Sequence, residues 1–266
     1  MALPESLPRP ETSVELCERA LRAAILGGEL APGERLPPER ELALRLGVTR
    51  VTLRAALARL ASARLIRSRQ GSGHVVADFL RDGGPELLQG LVTGREPAAV
   101  LAAHARELLR VRRHLARAIL EALAERAAAE PASIDAAGVA RAVDGFARAA
   151  EGAPPVGAPA RPAFELRMAE ADLAVMDAIL AATGSPVLRL CLNPIAAVLR
   201  EVPALRAALY VDPARNLAGW RGLVAWLEAP DPAAIEMLVA VLEQGDRETH
   251  DRLAARAAAE APGGAP

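Results

Sequence analysis

Hydrophobic residues near the start of the chain recur at helical spacing. Residues 12–15 (Thr-Ser-Val-Glu) match a capping box, and Gly27-Gly28 is a typical helix end, so a first helix is predicted between them. The apolar positions on its inner face are Val14, Cys17, Leu21, Ala24 and Ile25.

Two more helical patterns follow, and a sharp turn joins them. A Pro-Gly turn at residues 32–33 and prolines at 37–38 lead into a short helix predicted over residues 39–46. Gly47 suits the left-handed conformation that ends a helix, and Thr49 suits the N-cap of the next helix, predicted over residues 50–63. Two helices joined in this way form a helix-turn-helix, in which the second helix enters a DNA groove.

The helix predicted over residues 50–63 has two different faces. Its inward apolar stripe is Leu53, Ala56, Leu57 and Leu60. Its outward face carries Val51, Arg54, Ala55 and Ala58. Small outward residues allow close approach to base edges, and arginine can reach guanine or phosphate.

Two short β-strands are predicted directly after this helix. They cover residues 65–67 and 74–76, and the glycine-containing segment 69–73 joins them. Such a hairpin beside a helix-turn-helix is typical of a wing, with a tip small enough to approach a DNA backbone or minor groove.

From residue 85 onward the pattern is helical throughout, with no strand candidate. Helices are predicted over 97–129, with a single break near His104, from 133 to the loop at 152–159, and over 163–183. Ser185-Pro186, Asp212-Pro213 and Asp231-Pro232 each combine a cap residue with a first-turn proline, and the last helix is predicted to end near Glu260. This half should be an all-α bundle of six or seven helices.

The predicted fold class is therefore mainly α, with an N-terminal winged helix-turn-helix and a C-terminal all-α bundle. We expect a disordered N-terminus at 1–11, the winged domain at 12–79, a linker at 80–84, the bundle at 85–260 and a frayed tail at 261–266.

Composition narrows the class of protein further. Hydrophobic residues make up 52% of the chain and aromatic residues only 2%, which favours an Ala- and Leu-rich helical core. There is no apolar run long enough for a membrane span and no signal-peptide pattern at the start, so a soluble, cytoplasmic protein without a membrane partner is expected. Cys17 and Cys191 lie in apolar helical patterns and are predicted to be buried thiols.

Charge is distributed unevenly although the net charge is only −1. Residues 1–79 hold 12 arginines and 9 acidic residues, and six arginines with no acid lie between 50 and 70. A local basic patch is expected of a DNA-binding module, whereas a merely solvated helix face usually mixes both signs. Every basic residue other than histidine is arginine, which excludes a lysine Schiff base and a P-loop lysine.

Three segments together make the chain resemble the GntR family of bacterial transcription regulators. Residues 32–43 (PGERLPPERELA) are similar to the family pattern "pG..LPsEReLA", residues 47–54 (GVTRVTLR) to "GVSR.tvR", and residues 71–73 (GSG) to the wing tip. Ala55 stands where the family usually has Glu. The resemblance implies a homodimeric DNA-binding regulator, either a repressor or an activator, that binds a palindromic double-stranded operator.

The resemblance also places the DNA-contacting residues. These are Arg40, Thr49, Arg50, Thr52, Arg54, Gln70, Gly71, Ser72, Gly73 and His74. The alternative is that Arg40 or Arg54 only pairs with Glu39 or Glu41.

The C-terminal half resembles the all-helical FCD effector domains of the FadR-like subfamily. Residues 109–112 are similar to the arginine segment of the first long helix there, and residues 172–176 and 182–188 to the motifs "D..FH" and "atGNP.l". Many relatives hold a metal with that Asp and three histidines. Here the histidine positions correspond to Met176, Trp220 and about Leu242, so we expect no metal and no cofactor.

The resemblance implies a dimerisation domain that binds a small-molecule effector. The candidate ligand-binding residues are Arg112, Asp172, Met176, Asn193 and Trp220. The metal-free relatives include a regulator that binds long-chain acyl-CoA, which suggests an acyl-CoA effector; the alternatives are a small carboxylate or a ligand-free bundle used only for dimerisation. Arg112 and Asp172 could also simply neutralise one another in the core. No nucleophile–base pair or carboxylate dyad supports an enzyme, which remains a distant alternative.

Overall fold

The computed structural model describes residues 11–69, 73–93, 98–130 and 133–260. The chain divides into two compact units, residues 1–95 and residues 96–266. This division differs from the predicted linker at 80–84. Leu87 packs into the core of the first unit, and the segment around it therefore belongs to that unit rather than to the bundle.

The first unit is a winged helix-turn-helix, as predicted. Its elements are α1 (Ser13–Leu26), α2 (Glu39–Arg45), α3 (Arg50–Ser62), β1 (Ile66–Arg69) and β2 (Gly73–Val76). The predicted linker itself contains a one-turn helix, and the elements after the wing are α4 (Phe79–Asp82), a 3-10 turn (Pro85–Leu87) and α5 (Leu88–Thr93).

The predicted caps define the ends of these helices. The Thr12 hydroxyl accepts from the Glu15 backbone N–H at 3.3 Å, and the Glu15 carboxylate accepts from the Thr12 backbone N–H at 2.8 Å, which completes a capping box. After α2, Gly47 has a φ of +65°, a conformation open to glycine at little cost. Thr49 then caps α3 through the backbone N–H of Thr52 at 3.1 Å.

The wing is an antiparallel pair in which Ile66 lies opposite Val76 and Arg69 opposite Gly73. A third segment, which the sequence pattern missed, joins its edge. Arg35 forms an isolated bridge with Val75, and the Leu36 backbone N–H donates to the His74 carbonyl at 2.9 Å. This segment is too short to show the alternation from which a strand is predicted.

The predicted inner stripe of α3 forms the centre of the first unit's core. Leu53, Ala56 and Leu60 have no measurable exposure, and Leu57 is also buried. The other buried members of this core are Cys17, Leu21, Ile25, Leu36, Leu42, Ala43, Leu65, Ile66, Val76 and Leu87. Because α1 and β1 both pack on α3, the outward face of α3 is held in a fixed orientation.

The second unit is all-α over the described residues 98–130 and 133–260, where it contains seven α-helices and no strand. They are α6 (Ala98–Ala129), α7 (Ala136–Ala150), α8 (Arg161–Thr183), α9 (Pro186–Glu201), α10 (Pro203–Leu209), α11 (Pro213–Glu228) and α12 (Ile235–Glu260). The prediction of a bundle of six or seven helices is confirmed. The break predicted near His104 is wrong, because α6 runs through that residue.

Helix starts in the bundle follow the predicted cap-and-proline pairs. Ser185 caps α9, Asp212 caps α11, and Asp231 caps a 3-10 turn (Pro232–Ala234) that leads into α12. The helix α10 was not predicted, since Val202 before Pro203 provides no side-chain cap. Within the unit, α6 packs along α12 and α7 packs on α8 and α11. No helix in the described part of the chain is long and apolar enough to cross a membrane.

Candidate functional site

The first candidate site is the exposed face of α3. Val51 is 79% exposed, and Arg54, Ala55 and Ala58 are also exposed, which confirms the predicted orientation of this helix. Arg50, the first residue of α3, is exposed as well. The helix therefore presents two arginines on a face that is otherwise made of small or β-branched side chains.

Thr49 and Thr52 form a hydroxyl pair at the start of α3. Their Oγ1 atoms lie 2.9 Å apart, and Thr49 Oγ1 also accepts from the backbone N–H of Thr52. A threonine hydroxyl has one donor and two acceptor positions, so this pair retains capacity for a further partner.

Arg54 is held by an acidic side chain on the neighbouring helix. Arg54 Nε donates to Glu39 Oε2 at 2.7 Å, and His74 Nε2 on β2 lies 3.8 Å from the other oxygen of Glu39. The hydrogen bond from Arg54 lowers the pKa of Glu39. Arg54 thus forms the ion pair with Glu39 that was the alternative to a DNA contact, yet its side chain is still 63% exposed.

The remaining predicted DNA contacts differ in their surroundings. Arg40 and Arg50 are exposed and form no ion pair with any described residue. In the wing, Gly73 has a φ of +75°, and His74 is half-buried with Nδ1 3.3 Å from Ser68 Oγ. Gln70, Gly71 and Ser72 lie outside the described residues.

The second candidate site is a cavity of about 60 Å³ inside the second unit. Four of the five predicted ligand-binding residues line it: Arg112, Asp172, Met176 and Trp220. The placement predicted for Asn193 is wrong, since that residue is exposed on α9 and lies outside the lining. The rest of the lining is Leu108, Leu109, Leu173, Leu192, Ile195, Ala196, Leu199, Leu205 and Leu209.

Two donors satisfy the carboxylate of Asp172. Trp220 Nε1 donates to Oδ1 at 2.7 Å, and the Tyr210 hydroxyl donates to Oδ2 at 3.1 Å. Burial raises the pKa of Asp172, and these two hydrogen bonds together with the charge of Arg112 act in the opposite direction. Burial and the neighbouring Asp172 also raise the pKa of Tyr210 well above 10.

Arg112 pairs with Asp246 on α12 rather than with Asp172. Arg112 Nη2 donates to Asp246 Oδ1, and Arg113 Nη1 lies 3.3 Å from Oδ2. Burial raises the pKa of Asp246, opposed by the charge of Arg112. The Nε atom of Arg112 is buried without a hydrogen-bond partner, and an unpartnered buried donor of this kind is a candidate contact for a ligand oxygen.

These residues do not fit a metal ion. Each carboxylate oxygen of Asp172 already accepts a hydrogen bond, and Trp220 presents an N–H donor. The positive charge of Arg112 also acts on Asp172 and would repel a metal cation. No group of three or more His, Cys, Asp or Glu side chains suited to a metal occurs in the parts of the chain that the structure describes.

Comparison with protein families assigns both units. Residues 15–76 match the family of bacterial regulatory proteins called the gntR family, and residues 107–245, over half of the chain, match the FCD domain.

Individual relatives agree with these families. An uncharacterised HTH-type transcriptional regulator of Mycobacterium tuberculosis is 43% identical over 109 residues, which cover 41% of this chain and 43% of the relative. The HTH-type transcriptional regulator Mce2R of the same species is 50% identical over 68 residues, 26% of this chain and 28% of the relative. The matched segments thus span less than half the length of these curated relatives.

A solved structure has the same fold along nearly the whole chain. It is that of Lar, which controls expression of the agr system of Listeria monocytogenes. The TM-score is 0.57 at 15% identity, with 93% of this chain and 99% of that chain covered. At this identity the likeness concerns the fold alone.

Proposed function

Because the chain belongs to the GntR family of bacterial regulatory proteins and carries an FCD domain, we propose that it binds operator DNA as a homodimer and that a small carboxylate in the bundle modulates this binding. The observation that carries the DNA-binding part is the exposed face of α3, with Arg50 at its first position and Arg54 one turn later. Arginine in the major groove makes bidentate contacts to guanine, and each good contact contributes about 1–3 kcal/mol of discrimination.

Arg50→Ala tests the reading role of α3. Arg50 has no ion pair among the described residues, so its removal should leave the fold intact and lower operator affinity by about 1–3 kcal/mol if it contacts a base. The measurement is fluorescence anisotropy with a labelled duplex from the protein's own upstream region, beside a random duplex of equal length.

The matched control is Arg19→Ala, which removes an exposed arginine from α1. It should change both affinities little. Binding to both duplexes should also weaken as salt rises, because phosphate contacts release counterions. Equal affinity of the wild-type protein for its upstream region and for random DNA would refute the proposal.

The size of the bundle cavity supports a small effector over an acyl-CoA. Typical ligand pockets measure about 300–1,000 Å³, whereas this cavity of about 60 Å³ is several times smaller. The unpartnered Nε–H of Arg112 suits one carboxylate oxygen, and the leucine-rich lining suits a short apolar body. The remaining alternative is a bundle that binds no ligand and serves dimerisation only.

A thermal-shift screen distinguishes these effectors. Small mono- and dicarboxylates should raise the Tm of the full chain, since a ligand at 100 times its Kd stabilises by about 2.7 kcal/mol, while acyl-CoAs should not. Arg112→Lys keeps a cation for Asp246 but removes the Nε–H, so it should weaken carboxylate binding about tenfold. A shift with acyl-CoA alone would overturn the carboxylate assignment, and no shift with any compound would favour the ligand-free bundle.

For the effector to regulate DNA binding, it must bind one arrangement of the dimer more tightly than another. Only such differential affinity can shift the equilibrium between the two. A carboxylate that raised the Tm and left operator affinity unchanged would therefore act as a structural ligand and not as an effector.

A further inference from the structure

A groove of about 370 Å³ lies at the C-terminal end of α3, within the first unit. Three of its lining residues are arginines and one is an aspartate: Arg64, Arg67, Arg81 and Asp82. Ala61, Ile66 and Gly83 complete the lining. The lining side chains therefore carry an excess of two positive charges.

Arg64 adopts a backbone conformation that usually belongs to glycine. Its φ is +57°, and it is the one non-glycine residue with positive φ in the described part of the chain. The position directly follows the C-cap of α3, where the Leu65 backbone N–H donates to the Leu60 carbonyl and that of Arg64 to the Ala61 carbonyl, each at 3.0 Å. Glycine fits this left-handed position without strain, so the presence of an arginine suggests a functional role for its side chain.

Asp82 holds the three arginines around the groove. It pairs with Arg67, and Arg81 Nε lies 3.3 Å from its Oδ1 atom. Arg64 Nη1 donates to the backbone carbonyl of the same residue at 3.3 Å. Each guanidinium has five N–H donors, so one acceptor residue leaves most donors of the cluster available.

We propose that this groove, lined by Arg64, Arg67 and Arg81, binds a phosphate group. Guanidinium groups bind phosphate through paired N–H donors, and a carboxylate that orients them keeps the cost of ordering low. Asp82 is the positioning residue of the site.

The position of the groove favours a small phosphorylated molecule as the source of this phosphate. Arg50 begins α3 and Ser62 ends it, so about 18 Å of helix, at a rise of 1.5 Å per residue, separates Arg50 from the segment that holds Arg64. The groove is therefore at the opposite end of α3 from Arg50. The other source of the same chemistry is a backbone phosphate of the DNA that flanks the operator.

Arg64→Gly separates a binding role from a structural one. In phosphate-free buffer this variant should have a higher Tm than the wild type, because glycine removes the strain of positive φ. Inorganic phosphate and pyrophosphate should raise the Tm of the wild-type full chain, and the half-maximal concentration should rise about tenfold in Arg64→Gly and in Arg81→Ala. Arg59→Ala is the matched control, since it removes an exposed arginine of α3 that does not line the groove.

The salt dependence of operator binding distinguishes the two sources of phosphate. If the ligand is a small molecule, Arg81→Ala leaves the slope of log affinity against log salt unchanged. If it is a DNA backbone phosphate, that variant lowers the slope by about one, and pyrophosphate gives no shift in Tm. The proposal is overturned if neither phosphate nor pyrophosphate raises the Tm of the wild type and Arg81→Ala also leaves the slope unchanged. It is likewise overturned if the phosphate response survives in Arg64→Gly with the slope unchanged, or if Arg64→Gly lowers the Tm in phosphate-free buffer.

Discussion

At the residue scale, the buried carboxylate of Asp172 should make the stability of the bundle depend on pH. Its carboxylate is buried, and its partners, Tyr210 and Trp220, are neutral donors rather than cations. Burial therefore raises its pKa above the ordinary value of 3.8. An acid with a raised pKa in the folded state binds a proton that the unfolded chain has already lost, so stability falls as pH rises from about 3.8 through the folded pKa.

Asp172→Asn removes this titration. The free energy of unfolding of the wild type, relative to that of the variant, should decline as pH rises above about 4. The carboxamide of the variant cannot accept from both donors, which costs a constant amount at every pH and does not alter the slope. The measurement is a series of thermal melts of both proteins between pH 4 and pH 7. Parallel curves for the two proteins would contradict a raised pKa.

Among individual residues, the predictable ones were those that lie in a motif. Arg112, Asp172 and Met176 lie in such segments, Trp220 stands where relatives have a metal-binding histidine, and the fold brings all four to one cavity. The partners of these residues were missed, because Tyr210 and Asp246 meet them only through tertiary packing. The one weak signal was composition, since Tyr210 is the only tyrosine of the chain and tends to keep its hydroxyl bonded when buried.

At the scale of elements, Glu39 links three elements of the first unit. It lies at the start of α2, accepts from Arg54 on α3 and lies beside His74 on β2. An acidic group at a surface proposed to face DNA repels phosphate, so Glu39 should weaken DNA binding unless it has a compensating role. The ion pair with Arg54 provides such a role, because it fixes one conformation of the long arginine side chain in the DNA-free protein and so lowers the entropy cost of binding.

Glu39→Gln should therefore change affinity and specificity in opposite directions. Affinity for random DNA should rise, since a negative charge is lost, and the ratio of operator to random affinity should fall about tenfold as Arg54 loses its orientation. Anisotropy with both duplexes measures the two quantities. Glu41→Gln is the control, since Glu41 pairs with Arg45 on the same helix and not with α3. An unchanged ratio in Glu39→Gln would exclude a positioning role.

Elements with local end signals were predicted, and elements without them were not. The helix starts capped by Thr12, Thr49 and Ser185 can be predicted from the sequence, because a side-chain hydroxyl at the N-cap accepts from a free backbone N–H of the first turn. The short helix α10 and the bridge at Arg35 have no such signals, since neighbouring elements determine them. The left-handed conformation of Arg64 also has no local signal, because arginine is not a residue type that indicates positive φ.

At the scale of the whole molecule, the chain combines a basic first unit, proposed to bind DNA, with a larger bundle of neutral to acidic character. The excess of arginine lies in residues 1–79, while the net charge of the complete chain is only −1. In the proposed function, attraction to DNA is thereby concentrated on the first unit, and the rest of the protein adds little nonspecific affinity. If two copies associate, each brings one reading unit, and the two bind neighbouring half-sites of one duplex.

A dimer of this kind depends on the rotational position of the two half-sites. Reading units related by two-fold symmetry contact half-sites about one helical turn apart, so an insertion of about five base pairs turns one half-site to the far side of the duplex. Operator affinity should then fall toward that of a single half-site, whereas an insertion of about ten base pairs should restore part of it. Because the second contact of a dimer is intramolecular, its loss should cost about a hundredfold or more in affinity. Anisotropy with the three duplexes gives this comparison, and sedimentation of the free protein gives its oligomeric state. Equal affinity for all three duplexes would show that the chain reads DNA with one unit at a time, and the homodimer proposal would fail.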